Sequence, residues 1–176
     1  SSRKGVNLPS TRLRISAVTE KDKEDIAFAV EERLDYLAVS FVRRAQDVKD
    51  ARAALETHAA SIPIISKIEK PEALSALADI VDVSDGIMVA RGDLGVEIPL
   101  ERVPVVQKEV IRVTLGPELA PKYDAYEQKN AELNRQLAEL SQDKSLDQEA
   151  RLARLAELHK QREALNTEYA DVIRKQ

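Results

Sequence analysis

Ile64-Ile65-Ser66-Lys67-Ile68-Glu69 is the stretch on which the fold of this chain turns. A short apolar run that ends on a charged residue and is followed by Pro71 and helical spacing reads as a parallel strand, buried on both faces, handing over to a helix. The same grammar returns in Gly86-Ile87-Met88-Val89-Ala90-Arg91-Gly92-Asp93. Polar groups at the C-terminal ends of such strands converge at one mouth of an α/β sheet or barrel, which is where these folds do chemistry. Lys67, Glu69 and Asp93 gathered there could hold a hard divalent cation and turn it toward an anionic substrate, since Mg2+ takes a few carboxylates plus substrate oxygens. By spacing alone, a solvated ion pair at a strand end accounts for these residues equally well.

Outward from that stretch, helix and strand signals alternate. Thr19-Glu20-Lys21-Asp22 places a hydroxyl cap and early carboxylates before Ile26, Ala29 and Val30, which predicts an amphipathic helix. Tyr36 to Val42 reads as a strand, Val48, Ala51, Ala54 and Leu55 as a helical face, and Ile62 to Ile68 as a second strand. Pro71 suits the first turn of a third helix, with Leu74, Leu77 and Ala78 facing inward. Val81 to Val89 reads as a third strand broken by Ser84-Asp85-Gly86, and Val105 to Val113 begins a fourth helix. The order αβαβαβα calls for right-handed crossovers and a parallel sheet. Asp82 and Asp85 flank a turn and are expected to fix backbone rather than bind metal.

After Thr114 the grammar changes. Gly116-Pro117 and Pro121 punctuate a linker, and no strand signal follows. Tyr126, Leu133, Leu137 and Leu140 keep a three-four spacing, with Asn130 at one seam position; Leu155, Leu158, Leu165, Tyr169 and Val172 repeat it, with Arg162 at another. Ser145 and Gln148 resemble a capping box for the second stripe. The expected organisation is a partial β/α barrel over residues 1–113, a linker over 114–122 and an antiparallel helical hairpin over 123–176. Each stripe is narrow, so the hairpin would gain from a partner.

The 176 residues are too few for a complete (β/α)8 barrel, which needs roughly 200 or more. A net charge of −4 argues against nucleic acid, whose binders usually carry a basic patch. The absence of cysteine excludes disulfides and thiolate sites, and the apolar runs fall far short of a membrane span. A soluble, cytoplasmic protein is expected. His58 and His159 lack metal-ligand spacing and are expected at the surface.

Lys4-Gly5-Val6-Asn7-Leu8-Pro9, Glu20-Lys21-Asp22, Ser40-Phe41-Val42-Arg43, Ser66-Lys67-Ile68-Glu69, Ser84 to Gly95 and Glu97-Ile98-Pro99 stand in an order that resembles the pyruvate kinase family over residues 4 to about 112. The resemblance implies the fourth, fifth and sixth strands of a TIM-type barrel and Mg-dependent phosphoryl transfer between phosphoenolpyruvate and ADP in glycolysis. It further implies that Glu69 and Asp93 hold the cation, that Lys67 stabilises the transferring phosphoryl group and the enolate, and that backbone at Ala90 and Gly92 approaches the substrate carboxylate. Ser40 matches a residue near the phosphoryl group. The family's potassium ligands, lid and effector domain fall outside the match, so no K+ site is expected in this chain. Ser10 to Ser16 departs from the family pattern.

Three parallel strands expose two edges and an apolar face, which predicts a homo-oligomer or another protein partner, engaged through those edges and the hairpin. Two functions follow: a module that binds Mg2+ with phosphoenolpyruvate or pyruvate, incomplete as a stand-alone catalyst; or a non-catalytic scaffold whose hairpin mediates assembly.

Overall fold

Thr19 opens the first helix with a reciprocal cap. Its hydroxyl accepts from the Asp22 N–H at 3.3 Å, and its own N–H donates to the Asp22 carboxylate at 2.7 Å, so two otherwise orphaned donors are satisfied. The computed structural model describes residues 18–143 and 145–174, and of 171–174 only the backbone. The Lys4 to Pro9 and Ser10 to Ser16 stretches lie outside the described residues.

The element order is α1 (Glu20–Glu31), β1 (Leu37–Val39), α2 (Ala45–Glu56), β2 (Ile64–Ile68), α3 (Pro71–Ser75), α4 (Leu77–Val83), β3 (Gly86–Val89), α5 (Arg91–Glu97), a single 3-10 turn at Leu100–Arg102, α6 (Val103–Gln142) and α7 (Gln148–Arg174). The chain divides into two compact units, Ser1–Thr114 and Leu115–Gln176.

In the first unit, β1, β2 and β3 form one open parallel sheet in sequence order. Register pairs Val39 with Ser66 and Ile68 with Val89. Because side chains alternate along a strand, Val39, Ile64, Ser66, Ile68, Ile87 and Val89 share one face. That face packs with Ile26, Val48, Ala51, Leu55 and Ile80 from α1, α2 and α4 into the main core. Ala38, Ile65, Lys67 and Met88 occupy the opposite face, where Ala38 and Met88 are exposed. This is a partial α/β barrel, as expected.

Several boundaries differ from the sequence reading. Residues 81–83 are helical, and the third strand begins only at Gly86. Val81 and Val83 pack against the core from the last turn of α4, so tertiary burial overrides their β preference. The Ser84 hydroxyl then donates to Ile80 O at 2.6 Å, and the Asp85 N–H to Ile64 O at 2.9 Å, turning the chain into the sheet. β1 stops at Val39, short of Val42, since Phe41 takes a left-handed φ of 57° that no strand can continue.

In the second unit the expected nine-residue linker contracts to one residue. Gly116, at φ 71° and ψ −179°, is the single non-helical position inside α6. Pro117 resumes the helix at its first position, where a missing N–H leaves nothing unpaired, whereas Pro121, one turn later, forgoes the bond its N–H would have made to Pro117 O. Leu133, Leu140, Leu158 and Leu165 form a second small core with Tyr126, Leu137, Leu146 and Leu155 against it. Tyr126 reaches Asn166 at 3.0 Å while Gln136 meets Arg154 at 3.4 Å, so the later part of α6 and α7 run antiparallel. Asn130 and Arg162 are half-buried. The cap of α7 is Asp147, whose carboxylate accepts from Ala150 N–H at 2.7 Å; Ser145 instead donates to Asp143, correcting the expected Ser145–Gln148 box.

Candidate active site

The parallel register carries one step past the strand ends, setting Ser40 level with Lys67 and Glu69 level with Ala90, all on the face away from the helices. Ala90 is tied there by its N–H, which donates to Ile68 O at 3.2 Å. Lys67 Nζ donates to Ser40 Oγ at 2.9 Å and lies 2.6 Å from Glu69 Oε1. The other carboxylate oxygen, Oε2, accepts from the Phe41 backbone N–H at 2.9 Å. Glu69 is 2 % exposed, a burial that a carboxylate tolerates only when its charge is paired and its oxygens are bonded. Just after that N–H the chain turns away through the left-handed φ of Phe41.

Asp93 stands in the first turn of α5 and is exposed; Leu94 beside it is fully buried and anchors the helix. Gly92 is exposed, and a Cβ built on it would meet nothing within 4 Å. Gly95 answers to packing instead, since a Cβ there would come 2.7 Å from Leu100 Cδ2. The structure thus joins Ser40, Lys67 and Glu69 in one bonded cluster with Ala90 beside it, while Gly92 and Asp93 follow on the open first turn of α5.

Among the described residues no group of three or more His, Asp or Glu side chains gathers in a way that could hold a metal. Two carboxylates suffice for Mg2+, which keeps waters or substrate oxygens for its remaining positions. The donors present are all oxygen: a buried, pre-oriented carboxylate in Glu69 and an accessible one in Asp93. That chemistry fits a hard divalent cation.

Asp85 and Asp47 serve the backbone. Asp85 Oδ2 accepts from the Ile64 N–H at 2.8 Å and from Arg52 at 2.8 Å, fixing the backbone as its turn position suggests. His58 and His159 are exposed. The sequence reading missed Asp47, which is 1 % exposed and accepts from the backbone N–H groups of Arg43 at 2.8 Å and Arg44 at 3.2 Å. An acidic residue in the first turn of α2 was the available signal. It also missed Ser66, fully buried, whose hydroxyl meets that of Ser84 at 2.6 Å.

Among the described residues no helix is long and apolar enough to cross a membrane. The family model for the pyruvate kinase barrel domain matches residues 1–116. Pyruvate kinases of Staphylococcus aureus strains USA300, NCTC 8325 / PS 47 and bovine RF122 / ET3-1 are each 54 % identical over 110 residues, covering 62 % of this chain and 19 % of the relative. The chain therefore spans about a fifth of the length of the curated relatives it matches. The match takes in all three strands and every residue of the strand-end cluster, and on that basis the chain belongs to the pyruvate kinase family through its barrel domain.

Proposed function

We propose that the strand-end cluster is the cation and phosphoryl end of a pyruvate kinase active site, serving phosphoryl transfer between phosphoenolpyruvate and ADP. The observation that carries this reading is the Lys67 ammonium bridging Ser40 Oγ and Glu69 Oε1 at the C-terminal ends of parallel strands. Glu69 and Asp93 would hold Mg2+, which when bound supplies positive charge to the phosphoryl and enolate oxygens. Lys67, part-exposed on the open face, donates to the transferring group, whose charge is spread over several oxygens and is stabilised by positioned cations. Ser40 holds the ammonium in place. The open space over Gly92 lets a substrate carboxylate approach the backbone at Ala90 and Gly92, with the Gly92 N–H in the first turn of α5 as the donor. Turnover by the full reaction draws on parts of the family's architecture outside this match, so binding is the property to measure first.

Melting curves of the intact chain with Mg2+ and phosphoenolpyruvate test it. A ligand at one hundred times its Kd stabilises the folded state by about 2.7 kcal/mol. Mg2+ with phosphoenolpyruvate should raise the melting point, Glu69→Gln should remove the Mg2+ part, and Lys67→Met should remove the phosphoenolpyruvate part. No rise at millimolar ligand would defeat the assignment.

A second reading concerns the helical unit, Leu115–Gln176, which lies almost wholly beyond the family match. Among the described residues its clustered core is Leu133, Leu140, Leu158 and Leu165, and Leu152 on α7 is 57 % exposed. Such a narrow seam suits assembly with a further copy or another protein. Removing residues 115–176 should lower the oligomeric state seen by light scattering; an unchanged mass would make the hairpin passive.

A further inference from the structure

Lys70 Nζ lies 2.5 Å from Glu97 Oε1, with the two side chains 20 % and 3 % exposed. Lys70 directly follows Glu69, and Glu97 closes α5 four residues after Asp93. Positions four apart share a helix face, so this pair joins the neighbour of one candidate carboxylate to the residue one turn beyond the other. The same ammonium lies 5.8 Å from the centre of the Phe41 ring. Phe41 is the residue whose backbone N–H holds Glu69 Oε2, and it does so from a left-handed backbone that costs a non-glycine residue energy. Its ring is otherwise largely exposed, which leaves the cation contact as a means of keeping that strained turn in place.

A buried ion pair is a weak source of stability, because desolvating both charges cancels most of their attraction; its better-attested use is to fix one arrangement among several. Leu94 anchors α5 by burial, but an apolar contact does not set the rotation of so short a helix. We propose that Lys70 and Glu97 are positioning residues: their pair pins α5 to the end of β2, sets the separation of Glu69 and Asp93, and through Phe41 holds the Glu69 carboxylate in its orientation. This rests on the reading of Glu69 and Asp93 as the cation-binding pair.

Two readouts on the intact chain test it, amide exchange across α5 and Mn2+ binding followed by the paramagnetic resonance of the free ion. Glu97→Gln, nearly isosteric, and Lys70→Met should each speed exchange at the Leu94 and Ile98 amides and weaken Mn2+ binding by about tenfold, the lower end of the range for residues that orient metal ligands. Lys70→Arg, which keeps the charge, should stay close to the parent in both. Unaltered α5 exchange in a folded Glu97→Gln protein overturns the proposal, as does loss of Mn2+ affinity in Lys70→Arg equal to that in Lys70→Met. A parent chain that binds no Mn2+ would instead defeat the cation-site reading, and α5 exchange in Glu97→Gln would then decide the pinning by itself.

Discussion

Several carboxylates in this protein organise backbone, among them Glu69, Asp47, Asp85 and Asp147. Asp85 is drawn below its usual 3.8, first by the Ile64 N–H it accepts from and then by Arg52. A carboxylate with a depressed folded-state pKa contributes stability above its unfolded value and loses it as pH falls through the folded one, so this contribution fades below about pH 4. The pair is partly exposed, at 37 % and 45 %, which limits its worth to about 1 kcal/mol. Asp85→Asn should cost that much at neutral pH in urea unfolding and should flatten the acid arm of the stability profile. The role of Asp85 was legible because an Asp beside Gly86 after a serine announces a turn. Asp47 was not, since Arg43-Arg44 followed by Asp47 reads as a solvated charge run until α2 is seen to start at Ala45. Lys67 and Glu69 were legible by place, at the end of a β-branched run. The donor to Glu69 was not, because nothing local in Phe41 foretells a positive φ.

At the scale of elements, periodicity found the three strands of the first unit, but it ran α3 and α4 together, missed the short helix α5 and misjudged several ends. β-branched residues drew the third strand back into 81–83, although there they complete the buried side of a helix. Prolines suggested a long break after Thr114, although Pro117 suits the first turn of a helix that restarts after Gly116 and Pro121 is carried inside it at the loss of one hydrogen bond. The hairpin carries its own test. Tyr123 is 5 % exposed, and its phenol is pushed up to about 12 chiefly by burial and next by the Glu127 charge. A phenol with a raised folded-state pKa contributes stability that is complete below the unfolded value near 10 and lost as pH climbs toward 12. Alkaline titration followed by tyrosinate absorbance and circular dichroism should show the helical signal falling over that window. In Tyr123→Phe the fall should be smaller. Tyr169, stacked on Tyr126 with ring centres 4.4 Å apart, is raised in the same direction by burial.

For the molecule as a whole, three parallel strands with helices on one side leave the other face of the sheet bare, with Ala38 and Met88 exposed beside Lys67. The element order showed too few strands to close a barrel, and the sequential strand order with right-handed crossovers then puts the helices on one side. Ser40, Lys67 and Ala90 stand half-buried at the end of that face, with the Glu69 carboxylate already covered by Lys67 and the Phe41 N–H, so whatever covers the sheet would complete the enclosure of the candidate site. Gly116 carries a consequence for the chain's modularity. The family match ends at it, the boundary between the compact units falls within two residues of it, and its backbone lies in a region essentially reserved for glycine. A residue with a Cβ would hold that backbone only under strain, so one glycine marks where the family-matched segment gives way to the helical unit.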